Sequence, residues 1–374
     1  MSVIAVRRFA PLLWLTAAAA VAAPGPLETS VERARALLVH EDLGDGIHVF
    51  RAPSELDHWT STNSVAIVND DDVVVFDSPT RAVTARAVIA EIRKRTPKPV
   101  RVLINSHWHQ DHWSGNDEYV KAFPGVRILA TAETRDYMKR MGSAFFLAGS
   151  QRTIARLTKE LETGELADGS AVTAEARARK EAALERVRQF AAEIASTPRV
   201  LPDMVYRGEM TFWSGAREFR LLSVTGDATA STVLYLPGSR VLVTGDVLVS
   251  PATGTGPPPW TTNSYAITPW LEDLRRLEAL DSRAIVPGQG PTMRDEAYLR
   301  RTIALFASIR DQVHAALERG VMSLEDVQAA VNVDAIGREY KPDLDVTGDF
   351  RGWVGTLVKK LMQEAQDGAA DVVR

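Results

Sequence analysis

The chain has 374 residues, with 44 lysines and arginines against 48 acidic residues, seven histidines and no cysteine. That length and an ordinary apolar fraction suffice for a large core, while the absence of a basic stripe excludes a nucleic-acid partner. Without cysteine there are no disulfides or thiolate ligands, so any metal must be held by His, Asp or Glu.

At the start, Arg7 and Arg8 precede an apolar stretch over 12–21, and small residues run to Ala23. This is the layout of a secretory signal peptide over 1–23. Its apolar stretch is shorter than the ~20 residues a spanning helix needs. The expectation is a periplasmic or secreted protein with no stable membrane insertion after cleavage. A leading segment, 24–45, follows and includes a short helix over 31–38.

Strand-like runs occupy 46–51, 64–68 and 73–76, and Asn69-Asp70-Asp71-Asp72 predicts a hairpin turn between the last two. Residues 82–93 have helical spacing, and 100–104 reads as a buried-type strand. Strand, helix, strand implies a βαβ unit with its functional residues at the strand's carboxyl end. A further strand is read at 127–130 and a helix at 132–141.

Over 151–194 the composition shifts to Ala, Glu, Arg and Lys, with Leu184, Val187, Phe190, Ala191 and Ile194 on one helical face. Gly169-Ser170 breaks this run into a helical hairpin. A packed elaboration is preferred to a lid, because nothing in it looks chemical. Four strand-like runs return at 210–213, 219–224, 232–236 and 240–244. A Gly-, Pro- and Thr-rich loop, 250–262, leads to helices at 269–280 and 299–317 around a strand at 284–286. Amphipathic helices at 324–331 and 350–364 close the chain, with a polar linker between.

Three of the seven histidines fall in His107-Trp108-His109-Gln110-Asp111-His112, directly after the strand at 100–104. A loop leaving a buried strand aims several side chains at one point. Imidazoles with a carboxylate suit zinc, iron or manganese.

This His-x-His-x-Asp-His run resembles the signature of the metallo-β-lactamase superfamily. Further landmarks are Val74-Val75-Phe76-Asp77-Ser78, Gly115-Asn116, Val243-Thr244-Gly245-Asp246 and Val286-Pro287-Gly288-Gln289-Gly290. The resemblance implies an α/β fold, a four-layer αββα sandwich over 46–292. The hairpin would be an insertion in it, and 293–374 a helical extension.

The resemblance also implies a metal centre at one edge, between the sheets. One ion would meet His107, His109, Asp227 and Asp246; a second would meet Asp111, His112, Asp246 and the Gln289 carbonyl. Asp227 and Gln289 stand where the family usually carries histidine, so the second site is expected to be weak. The expected cofactor is zinc, one or two ions, with iron or manganese as alternatives. Asp111 would orient the attacking water or take its proton, and Asp77 would fix a ligand histidine's tautomer from behind. His58, Trp260 and Tyr265 would shape the substrate pocket.

The implied function is an exported metal-dependent hydrolase of a small molecule, acting on an ester, lactone, lactam, thioester or similar bond. The alternatives are a non-haem iron oxidoreductase of the same fold, or a catalytically degenerate metal-binding member.

Overall fold

The computed structural model describes residues 28–53, 56, 62–226, 228–250, 266–340 and 348–372. The region read as a signal peptide lies outside them. After a short helix α1 (Val31–Leu37), seven strands form one sheet in chain order. They are β1 (Val39–Asp42), β2 (Ile47–Arg51), β3 (Asn63–Val68), β4 (Val73–Phe76), β5 (Val100–Ile104), β6 (Arg127–Thr131) and β7 (Met204–Tyr206). The first four are antiparallel neighbours, and β4 to β7 are parallel. Asn69 closes the β3–β4 hairpin, its backbone N–H donating to Asp72 O at 2.9 Å.

Parallel neighbours need a covering crossover. Helix α2 (Ala82–Arg95) joins β4 to β5, and α3 (Asn116–Ala122) joins β5 to β6. The unbroken apolar run of β4 follows from burial on both faces. Val73 and Val75 pack with Ala85, Val88 and Ile92 of α2, while Val74 and Phe76 point into the layer between the sheets.

A second sheet has the order β12-β11-β10-β9-β8, built from β8 (Glu209–Ser214), β9 (Arg217–Val224), β10 (Ser231–Leu236), β11 (Val241–Gly245) and β12 (Ala284–Pro287). Alternation along these strands divides the core. Phe219, Leu221, Leu234, Leu236, Val241, Val243 and Val286 meet the first sheet. Val224, Val233, Tyr235, Leu242 and Ile285 face α7 (Ile267–Glu278), α8 (Ala297–Glu318) and the later helices α9 (Leu324–Ala330), α10 (Val333–Tyr340) and α11 (Gly348–Val372). The result is an α/β sandwich of layers αββα with a helical extension at its C-terminal end.

Some elements depart from the sequence reading. The stretch between α9 and α11, expected to be a polar linker, contains α10, because Val333, Ile336 and Tyr340 recur at helical spacing and pack on the extension core. Polar β1 is an exposed edge strand, visible only through its pairing with β2. The helical hairpin is α5 (Ala144–Thr163) and α6 (Ala174–Ser196), following α4 (Ala132–Met141) and starting earlier than the composition shift suggests. Among the described residues, no helix is long and apolar enough to cross a membrane.

One buried side chain pins the hairpin to the sandwich. Arg81, 2% exposed at the start of α2, pairs through Nε with Glu193 Oε2 of α6 at 2.7 Å. It also donates to Leu56 O at 2.7 Å and Glu28 O at 2.9 Å. Replacing it leaves buried acceptors unmet beside an unpaired carboxylate, so Arg81→Met is expected to cost about 2–4 kcal/mol. A urea melt checks this, and an unchanged midpoint would refute it.

Candidate metal centre

The carboxyl ends of β4, β5, β11 and β12 supply the site. Beyond β5 the chain passes through Asn105 and Ser106 to His107, then makes one 3-10 turn over Gln110–His112. The turn is closed by its own backbone, with His112 N–H donating to His109 O at 3.1 Å and Ser114 N–H to Gln110 O at 3.0 Å. The Asn105 amide donates to His112 O at 3.1 Å, and Asn116 and Ser78 complete that buried polar cluster. Three rings therefore turn inward together. The His107 centroid lies 4.2 Å from that of His112 and 4.6 Å from that of His109.

The second sheet adds Asp246, just past β11. Gly245 before it has φ +51°, and a Cβ there would sit 2.6 Å from Ser106 Cβ. A Cβ on Gly288 would collide with Asp246 itself. These two glycines let the ends of β11 and β12 close on the histidine loop.

Ligand atoms of His107, His109 and Asp246 lie within 4.8 Å of one another, as do those of Asp111, His112 and Asp246. All five residues are buried. Asp246 belongs to both groups, and its Oδ1 is buried without a hydrogen-bond partner among the described residues. Buried carboxylates without compensation are costly, and a divalent cation supplies that compensation. The residues present thus fit a metal.

Proton placement supports the same fit. Asp77, buried behind the loop, accepts the Ser106 hydroxyl and the His112 Nδ1–H through Oδ2, each at 2.7 Å. Since the carboxylate can only accept, the single Ser106 proton goes to Asp77. His107 Nδ1, 2.9 Å from Ser106 Oγ, must then carry a hydrogen and donate it. His107 is left with an unprotonated Nε2, the form that ligates metal, and the Asp77 contact leaves His112 Nε2 to face Asp111 and Asp246. Burial, with the neighbouring His112 and His109 rings, holds His107 well below the ordinary imidazole range. Burial opposes charge on His112 too, but Asp111, Asp246 and Asp77 together outweigh it and hold that ring well above its ordinary value.

Gln289, past β12, occupies the second group. Its Nε2 lies 3.2 Å from both Asp111 Oδ2 and Asp246 Oδ2, donating to each. Thr62 Oγ1 donates to Asp111 Oδ2 as well, at 3.2 Å. The structure therefore brings together His107, His109, Asp111, His112, Asp246 and Gln289, with Asp77 behind them. In this arrangement it is the Gln289 amide nitrogen that meets the two carboxylates. Asp227, His58, Trp260 and Tyr265 lie outside the described residues.

Sequence reasoning did not single out Ser106, Thr62 or Phe145. Ser106 directly precedes the motif, and its hydroxyl could have been suspected of supporting a ligand. Nothing in the sequence marks Phe145, at the start of α5. Its ring lies flat on His109, with centroids 5.6 Å apart and planes at 17°, and edge-on to Trp108 at 6.1 Å.

A family model for the metallo-beta-lactamase superfamily matches residues 58–289. The chain belongs to that superfamily. One protein it resembles is a linear primary-alkylsulfatase of a Pseudomonas strain, 26% identical over 262 residues, or 69% of this chain and 48% of that protein. Another is metallo-beta-lactamase IND-1 of Chryseobacterium indologenes, 31% identical over 84 residues, or 22% of this chain and 34% of that protein. The chain thus spans about half the length, or less, of these relatives. Among solved structures, a metallo-beta-lactamase from Pontibacter korlensis superposes with a TM-score of 0.50 at 15% identity, over 72% of this chain and 99% of that one. This last likeness shows the fold.

Proposed function

We propose that this chain is a zinc-dependent hydrolase of small molecules, acting on an ester, lactone, lactam, thioester or sulfate ester. The observation that carries this is Asp246, shared by two buried groups of histidine and carboxylate donors. A cation bound there lowers the pKa of water towards ~7 and polarises the substrate oxygen.

The chain's own residues prepare that chemistry. His107, His109 and Asp246 hold the ion, with Asp227 as the proposed fourth ligand. Asp111 orients the attacking water or accepts its proton, and Thr62 and Gln289 fix its carboxylate through Oδ2. Asp77 holds the His112 ring and, through Ser106, the His107 ring. His58, Trp260 and Tyr265 are proposed for the pocket rim. The longer match, to an alkylsulfatase, puts alkyl sulfate esters first among substrates to try. The layout of residues 7–23 supports action outside the cytoplasm. The test is turnover of sulfate esters, carboxylic esters, lactones and lactams under zinc, manganese and iron, with and without a chelator. Metal-dependent turnover of any of them is expected, and none with every metal would overturn the proposal.

The two metal positions are proposed to be unequal. An amide that donates to Asp111 and Asp246 supplies two hydrogens where a second cation would supply charge, and amide ligands suit zinc poorly. One tightly held zinc per chain is the expected result of plasma emission after gentle purification. Gln289→His should raise this to two, whereas two zincs in the unaltered protein would refute the inequality.

Two histidines and one carboxylate also make a set used for iron and oxygen chemistry. Oxygen uptake with thiol substrates after anaerobic iron loading, in place of hydrolysis, would favour that second reading.

A further inference from the structure

We infer that Phe145 is a specificity-determining residue, forming an apolar wall that receives the non-reacting hydrocarbon part of the substrate beside the metal. The inference rests on the proposed metal centre, since it is His109 that Phe145 covers. Three observations carry it.

Phe145 stacks on His109, with centroids 5.6 Å apart, which places this ring against one of the proposed ligands of the cation. Next, Phe145 is 42% exposed, whereas its neighbour Phe146 is 4% and Trp108, which it meets edge-on, is 6%. A large aromatic face left open between buried rings is the kind of surface that ligand pockets use for apolar groups.

The third observation is that the ring's position is built. Phe146 is anchored with Phe190 and Ile194 of α6. The elbow between α4 and α5 turns at Gly142, whose φ of +50° L side chains rarely adopt. With Phe146 turned into the hairpin, the preceding side chain is presented to the metal loop. Trp108 behind it stacks on Tyr137, with centroids 5.9 Å apart, so the Phe145 ring is backed by further aromatic packing. The helical hairpin is then a pedestal for the pocket wall, and neither an idle elaboration nor a moving lid.

The chemistry recognised is an amphiphile: a reactive head at the cation and an alkyl chain along Phe145. Each methylene that the wall covers contributes up to about fourfold in affinity. The test uses the zinc-loaded full chain and two non-hydrolysable probes, ethanesulfonate and octanesulfonate, titrated calorimetrically below micelle formation. The unaltered protein is expected to prefer the octyl probe by on the order of 10²-fold, and Phe145→Ala to cut that ratio about tenfold. Phe145→Leu, which restores apolar surface without an aromatic ring, should recover most of it.

No chain-length preference in the unaltered protein overturns the inference. So does an equal loss for both probes in Phe145→Ala, which would mean that the ring acts only by holding His109. If the ratio falls as expected but no ester of any kind turns over, the wall stands and the hydrolase proposal fails.

Discussion

Asp246→Asn is expected to abolish both zinc retention and turnover while leaving the metal-free protein about as stable. The substitution keeps size and shape and removes one buried negative charge. Losing a residue that merely supports a ligand costs ~10–100-fold in metal affinity or activity. Asp246 is common to both donor groups, so its loss should cost more, on the order of 10³-fold or more in kcat/KM. In chelator the comparison should vanish. Asp111 and Asp246 share the hydrogens of Gln289, so neutralising one of them relieves repulsion between buried like charges, which offsets the weakened pairing of Asp246 with His112. Zinc content by plasma emission, activity, and thermal melts with and without chelator check this. A variant that keeps a full zinc complement would contradict it.

Asp77 separates into two measurable roles. Its backbone sits at φ +60°, in the left-handed region that Asp and Asn tolerate better than most side chains. Its carboxylate accepts the Ser106 N–H, the Ser106 hydroxyl and the His112 ring N–H, each at 2.7 Å. Asp77→Ala leaves these three buried donors unmet and strains the backbone. We expect a loss of about 3–5 kcal/mol in stability, together with the metal. Asp77→Asn keeps the backbone preference and one acceptor oxygen, so most stability should remain. The charge behind His112 is gone, and the Ser106 hydroxyl no longer has an obligatory acceptor. Zinc affinity is therefore expected to fall ~10–100-fold in Asp77→Asn. Competition against a chromophoric chelator and urea melts read the two effects separately. An Asp77→Asn variant with unchanged zinc affinity would remove Asp77 from the metal's support.

Much of the fold was legible because its core strands are extreme. The run 73–76 is apolar without interruption, as only a strand covered on both faces can be, and 100–104 is broken only by exposed Arg101; they became β4 and β5. The clustered histidines after β5 were equally plain, since chemistry of that kind needs rare residues close together, whereas Asp246 just past β11 stood out only through the family resemblance. Other elements depend on partners distant in sequence. The strand β1 is polar and pairs only at an edge, β7 has three residues, and α3 is a seven-residue polar helix. None of these has a pattern long enough to rise above its surroundings. The contact of Phe145 with His109 joins a helical insertion to a loop on another element, and no local periodicity encodes it. Gln289 was noticed for standing where histidine is usual, but which of its amide atoms meets Asp111 and Asp246 follows from the assembled hydrogen bonds.

The most direct test is X-ray diffraction from the as-isolated protein, with data on both sides of the zinc absorption edge. One strong anomalous peak is predicted, bonded to His107, His109 and Asp246 at the ~2.0–2.2 Å typical of zinc with nitrogen and oxygen donors. An anomalous map with no peak among these residues, after soaking with zinc, manganese and iron in turn, would contradict the account.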